Sequence, residues 1–400
     1  MSVRKSVNAL ENSRRAINCY IKGGGLVPVY YGEKFSADFP DNAYFAEYSD
    51  LVKKIYVYTY DAVYTSDGGY KFDIVNKCYN GDQPLMIDLR YKNAAMQAVI
   101  IGDVVYFCSD GGKYDSCVLD YSLSCGVVHC GRLFGADLYD GFTVRWTATD
   151  KLFDCEKGLH EMGYLQLDPK RGKVLDMLVF GGKIVAVREY GLTVLNMHGS
   201  PENFSVDLTD TDCDGIYKGT CRSIGGKLYF YSASGLKYFD GAKISRIDLK
   251  YTVDARCCTD FAGKYFVAGK NDDIGDDVIL CINLSDGECC LIREYAEALF
   301  ASDAVYFGAN GTLYRLEDGG EYYFESGAID FGTGKLKTVT QIDVRGTAEI
   351  SIGNGSFTRK FSNASGIIRP RMRGTAFTVT AQGKSALDGL TLTAEVTDAV

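Results

Sequence analysis

Proline is scarce in this chain, 6 among 400 residues, and tryptophan and histidine are scarcer still, with 1 and 3. Three histidines without short ligand spacings argue against a zinc site. A lone Trp146 leaves little of the aromatic platform that sugar-cleaving clefts use. Helix-forming composition is thin after the first twenty or so residues, and no stretch approaches the roughly twenty apolar residues of a membrane span. The segment Met1 to Ala9 carries Arg4 and Lys5 but no apolar run of signal-peptide length, so the expectation is a protein made and folded in the cytoplasm. Lys and Arg are interspersed with acids at a formal charge of -9, which gives no clustered cationic surface for a nucleic-acid groove.

What is abundant points one way. Gly 45, Tyr 29 and Phe 21 against 6 prolines is the balance of many short strands joined by tight turns. At this length the chain is expected to hold two domains or one large repetitive one. The 14 cysteines sit largely in apolar strand contexts, such as Cys108 in Val-Val-Tyr-Phe-Cys and Cys281 in Val-Ile-Leu-Cys-Ile. There they act as small hydrophobes and are expected to be reduced thiols.

A loose unit recurs: a small turn, a polar residue, then an apolar-aromatic strand. It reads Lys54-Ile55-Tyr56-Val57-Tyr58, Gly102-Asp103-Val104-Val105-Tyr106-Phe107, Gly181-Gly182-Lys183-Ile184-Val185-Ala186-Val187, and Gly225-Gly226-Lys227-Leu228-Tyr229-Phe230-Tyr231. Gly263-Lys264-Tyr265-Phe266-Val267 and Asp303-Ala304-Val305-Tyr306-Phe307 follow, with Gly131-Arg132-Leu133-Phe134-Gly135-Ala136 as a degenerate copy. Several copies lead into a second glycine-led strand, as at Gly191, Gly235 and Gly311. The later copies start about 37 to 45 residues apart, the length of a four-stranded propeller blade. The count predicts an all-β fold with a six- or seven-bladed β-propeller; stacked sandwiches, which also show regular short strands, are the competing architecture.

The flanks differ. Residues 1–38 are expected to form an arm or ring-closing segment, with a short helix over Val7 to Tyr20 and a hinge at Gly23-Gly24-Gly25. The propeller is assigned to 39–328. Residues 329–400, with alternation such as Ala376-Phe377-Thr378-Val379-Thr380, predict a small carboxyl-terminal β-sandwich with one wet face.

Candidate sites are few. Asp210, Asp212 and Asp214 lie on alternate residues before Gly215, the spacing of a calcium loop, but Cys221 stands where the closing bidentate Glu belongs; an acidic solvated loop is the plainer reading. Thr65-Ser66-Asp67-Gly68-Gly69-Tyr70-Lys71-Phe72 approximates the Asp-box turn of sialidase-type propellers, with Phe where Trp is usual, and Ser109-Asp110-Gly111-Gly112 is a partial copy. Both read as hairpin turns. His129, His160 and His198 stand apart in sequence with no nucleophile signature near them, and Gly23-Gly24-Gly25 lacks the Lys-Ser or Lys-Thr of a phosphate loop. No catalytic residue and no cofactor are expected.

One stretch resembles a known family. It runs through Gly131-Arg132-Leu133-Phe134-Gly135-Ala136, Thr143-Val144-Arg145-Trp146-Thr147, Gly163-Tyr164-Leu165-Gln166-Leu167-Asp168, Gly191-Leu192-Thr193-Val194-Leu195 and Gly235-Leu236-Lys237-Tyr238-Phe239-Asp240-Gly241. The order resembles the propeller of bacteriophage tail nozzle and tail-hub ("stabilisation") proteins over about residues 125 to 245, with Trp146-Thr147 in place of the usual Trp-Ser. The resemblance implies a structural virion component without an active site. It further implies a homo-oligomeric ring around the DNA exit channel, contacts with portal, adaptor or other tail proteins, and non-specific passage of DNA. A carbohydrate- or receptor-binding propeller is the rival expectation, and a glycosidase or sialidase a more distant one.

Overall fold

A computed structural model describes residues 2–36, 38–67, 71–77, 85–91, 94–108, 114–152, 162–207 and 211–397. Among them every regular element is a strand or a short 3-10 turn, and no helix is long and apolar enough to cross a membrane.

The strands build a β-propeller followed by a smaller β-unit. Six four-stranded sheets stand free: blade 1 (43–77), blade 2 (85–118), blade 3 (123–166), blade 4 (174–206), blade 5 (222–246) and a closing blade. The closing blade, blade 7, joins Ala298–Ala301, Val305–Ala309 and Thr312–Asp318 to the amino-terminal strand Tyr30–Ser36. Between blades 5 and 7 lies a further four-strand meander, blade 6 (254–292), whose outer strand runs on into a larger sheet.

The seven units form one closed ring, because each neighbouring pair shares a separate apolar cluster. Tyr56 meets Val99 between blades 1 and 2, Ile100 meets Leu133 between 2 and 3, and Phe134 meets Met177 between 3 and 4. Val187 and Phe230 join blades 4 and 5, Tyr231 and Val267 blades 5 and 6, and Ile279 and Phe307 blades 6 and 7. Ala298 and Phe300 then pack on Ala43 and Val57, which brings the last blade back to the first. Stacked sandwiches would give two inner faces and no such circuit. Six of the seven copies of the sequence repeat are second strands of their blades, including the degenerate one at Arg132–Asp137, whereas the Gly102 copy falls on Val104–Cys108, the third strand of blade 2. The turn before several of them has two successive residues at positive φ, as at Gly181 (57°) and Gly182 (75°). This backbone matches the strand twist in two-residue hairpins, and glycine adopts it without a Cβ clash.

The remaining strands form the carboxyl-terminal unit: Lys337–Gly353, Thr358–Ile368, Met372–Gly374, Thr378–Gly383 and Leu387–Thr397. Tyr322–Ser326 and the amino-terminal strands Ser2–Asn8, Cys19–Lys22 and Gly25–Pro28 complete its sheet. Its own core includes Leu10, Phe324, Ile342, Ile352, Val379 and Leu392. Strand Ser13–Ile17 stitches the two units together, meeting Leu291 of blade 6 in parallel and Tyr323–Ser326 antiparallel.

The helix expected over Val7 to Tyr20 is absent. That stretch is strand, a 3-10 turn at Ala9–Asn12, and two further strands. Asn8 accepts a hydrogen bond from the Leu10 amide, and Asn18 sits at φ 54°, so polar residues punctuate the segment every few positions. Pairing of Ser2–Asn8 with Thr391–Thr397 then supplies the backbone partners a helix would otherwise provide.

Candidate functional site: the axial cavity

In each blade the first strand lies innermost. Four of these strands carry the same defect, a register shift between Ala43 and Phe45, Leu123 and Cys125, Val174 and Asp176, and Ala255 and Cys257. Such bulges re-aim a side chain out of the pleat. The four residues displaced, Tyr44, Ser124, Leu175 and Arg256, all line one cavity of about 620 Å³ on the propeller axis.

The cavity mixes aromatics with both signs of charge: Phe45, Tyr58 and Tyr60 with Glu47, Asp88, Asp176, Lys218, Arg222 and Arg256. Solvent reaches Asp88 and Lys218 along the axis, yet protein surrounds them on the other sides, and that partial desolvation disfavours charge of either sign. Burial accordingly raises the carboxyls of Glu47, Asp88 and Asp176 and lowers the ammonium of Lys218. Arg222 opposes the shift at Glu47 and Asp176, and hydrogen bonds oppose it at Asp88.

Much of this polar lining is already engaged by the framework. Asp88 accepts from Ser49 Oγ at 2.7 Å and Gln97 Nε2 at 3.2 Å, and Asp176 from the Met177 amide at 2.8 Å. Arg222 donates to the Cys221 and Cys258 carbonyls at 2.7 and 2.9 Å, bracing blade 5 against blade 6. Arg256 donates to the Ala296 carbonyl and to Asp277 at 2.8 and 2.7 Å. The arrangement suits a small polar ligand with both donors and acceptors, in a volume typical of small-molecule pockets.

The residues singled out from sequence lie elsewhere. Asp212 pairs with Arg171 Nε at 2.5 Å in a depression between blades 3 and 4. Asp214 turns to Lys237 and to the Ser234 amide. Asp210 falls outside the described residues. Each described carboxylate therefore has its own cation, and they form no metal-ligating group among the described residues. Asp67 of the Asp-box stretch pairs with Lys54 at 3.2 Å, and Phe72 packs edge-on against Phe39; Gly68 to Tyr70 and Ser109 to Gly112 lie outside the described residues. Cysteines 19, 125, 221, 257, 258, 281 and 290 are buried and form no disulfide.

The histidines correct the reading that they stand apart. His160 lies outside the described residues, but His129 and His198 meet edge to face with ring centroids 4.8 Å apart, and Cys130 Sγ lies against both. Sequence spacing hid this, because 68 residues separate Cys130 from His198. The usable signal is blade register: the first and third turns of an antiparallel four-strand meander emerge at the same end, so the first turn of blade 3 lies beside the third of blade 4. The axial cavity was equally hidden, since its charged residues fall on separate strands or loops with no local motif.

No family model and no curated protein matches the chain. Solved propellers do. A streptogramin B lyase structure superposes with a TM-score of 0.54 at 14% identity, covering 72% of this chain and 98% of that one. Virginiamycin B lyase from Staphylococcus aureus gives 0.50 at 12% identity, covering 79% and 99%. The Pan2 WD40 domain of Neurospora crassa gives 0.48 at 10% identity, covering 68% and 88%. At such identities the first two likenesses speak for the fold alone: this chain is similar to β-propellers.

Proposed function

We propose that the chain is a non-enzymatic structural component of a bacteriophage or prophage virion, of the tail nozzle or hub class, that works by assembling into a ring. The observation that carries this reading is an open sheet edge. Strand Thr358–Ile368 pairs only with Lys337–Gly353 among the described residues. Most of its length is exposed, and Phe357 and Ile367 at its two ends are 57% and 54% accessible. An unpaired edge is a template for another chain, and a ring interface built on it would bury more than roughly 2,000 Å². Rigid blades would hold that edge in a fixed orientation, and the virion would be the protein's site of action.

The axial cavity bears on the DNA path. Its volume of about 620 Å³ suits a small molecule, so any passage of DNA belongs at the centre of the assembled ring and not within one propeller. Light scattering after size exclusion tests the proposal: a ring is expected, dispersed by Ile367→Lys. A strict monomer at high concentration that also fails to bind portal or adaptor proteins would sink it.

The charged axial cavity favours a second reading, a propeller that binds a carbohydrate or another small polar ligand. Selective signals on a glycan array, lost on Glu47→Gln, would move the function there. Turnover of aryl-glycosides abolished by one carboxylate change would make it an enzyme.

A further inference from the structure

We infer that His129, Cys130 and His198 form a zinc-binding site on the rim of the propeller, at the seam of blades 3 and 4. Cys130 Sγ lies 3.4 Å from His129 Nε2 and 3.3 Å from His198 Nδ1, and the three donor atoms fall within 4.8 Å of one another. Zinc bonds of about 2.3 Å to sulfur and about 2.0–2.1 Å to nitrogen, at tetrahedral angles, give a sulfur–nitrogen edge of about 3.5 Å. Both sulfur–nitrogen edges are therefore already near their final length. The ligation would need only a small approach of the two imidazoles.

Two further features point to a ligand. His198 Nε2 donates to the Gly182 carbonyl at 2.5 Å, which fixes the tautomer and leaves the Nδ1 lone pair facing the sulfur. Metal-bound histidines are held in this way by an outer carbonyl or carboxylate. The second feature is the backbone at Cys130. It takes φ 48° ahead of Gly131 at φ 73°, in the turn where blades 4, 5 and 6 place Gly181, Gly225 and Ala262 at positive φ. The left-handed backbone there crowds a β-carbon against the following carbonyl, and asparagine or glycine would serve the turn better. The cysteine brings no compensating burial, since it is exposed.

One thiolate and two imidazoles select zinc over magnesium or calcium. Three protein donors leave a fourth position open to water or to a group from a bound partner. Binding would displace the thiol proton into solvent as the sulfur–metal bond forms.

The test uses the full chain, reduced and stripped of metal, titrated with zinc alone by calorimetry in two buffers of different ionisation enthalpy. Cobalt(II) in place of zinc reports sulfur ligation through its thiolate charge-transfer absorption. The expected result is one tight equivalent with proton release. Cys130→Asn, which keeps a turn-compatible residue, abolishes the charge-transfer band, and His198→Ala weakens zinc by roughly 10–100-fold or more. Unchanged circular dichroism in both variants is expected and separates lost ligation from lost folding. Zinc binding that persists undiminished in both variants would assign the metal to other cysteines and overturn the site. Failure of the parent chain to bind zinc at micromolar concentration would overturn it as well.

Discussion

The propeller and the carboxyl-terminal unit are both antiparallel sheet, but their strands are buried differently. From Leu228 to Ser232 in blade 5 every residue is buried, and Ile184 to Arg188 in blade 4 behaves the same way. Along Lys337–Gly353 burial largely alternates, with Ala348, Ile350 and Ile352 inside and Glu349 outside. A blade's second strand faces a neighbouring blade on each side, so both sets of alternate side chains find a core. The carboxyl-terminal sheet has one core face and one wet face. Sheet in the first region is therefore specified by unbroken apolar runs, and in the second by period-two patterning.

The comparison breaks most visibly if the two units are not separate cooperative bodies. Residues 2–28 contribute three strands to the carboxyl-terminal sheet and, through Ser13–Ile17, its junction with blade 6. Deleting them exposes the Leu26 and Leu10 contacts of that core. The expected outcome is loss of cooperative unfolding for the carboxyl-terminal unit and a lowered midpoint for the propeller, measured by calorimetry. A truncated chain that melts as the full one does would show that the amino-terminal strands are decoration.

Single substitutions sharpen the same contrast. Phe230→Ala in blade 5 is expected to cost about 3–5 kcal/mol, and Ile350→Ala about 2–5 kcal/mol, by urea denaturation. The informative neighbours are Tyr229 and Glu349. Tyr229 is buried on the other face of its strand, so Tyr229→Ala should cost as much as its neighbour. Glu349 is exposed, so Glu349→Ala should stay within about 0.5 kcal/mol. Equal costs at Ile350 and Glu349 would refute one-sided burial of the second unit.

This contrast also explains how much was legible in advance. The blade repeat could be read because second strands are apolar on both faces and mostly follow a turn of similar chemistry, and six of the seven copies fell on them, the Gly102 copy marking the third strand of blade 2 instead. Alternation around Thr378–Gly383 was legible for the opposite reason. The amino-terminal strands were not, since Ser13–Ile17 gains its partners from Cys289–Ile292 and Tyr322–Ser326, hundreds of residues away. Tertiary pairing there overrides local preference. The axial cavity and the His129–Cys130–His198 group escaped for a related reason. Each draws its members from different blades, and a ring brings together residues that no local spacing marks.

The smallest expected effect lies within the propeller, between two carboxylates of opposite behaviour. Burial alone would raise Asp214, but hydrogen bonds from Lys237, Cys213 and Ser234 hold it well below the ordinary carboxylate range. Asp176 lies on the axis, and burial raises it. A depressed carboxyl stabilises the fold above its unfolded value, near 3.8, and that stabilisation is lost as pH falls through the lower folded value. A raised carboxyl does the reverse: its penalty is absent below 3.8 and grows as pH climbs to the higher folded value. Relative to Asp214→Asn, the parent chain should therefore lose stability as pH drops below about 4. Relative to Asp176→Asn, it should gain stability as pH falls from neutral toward the same point. Urea midpoints across that range give both signs. Parallel pH profiles for the two variants would mean that the axis is as well hydrated as the rim, and the desolvated character assigned to the cavity would fall with them.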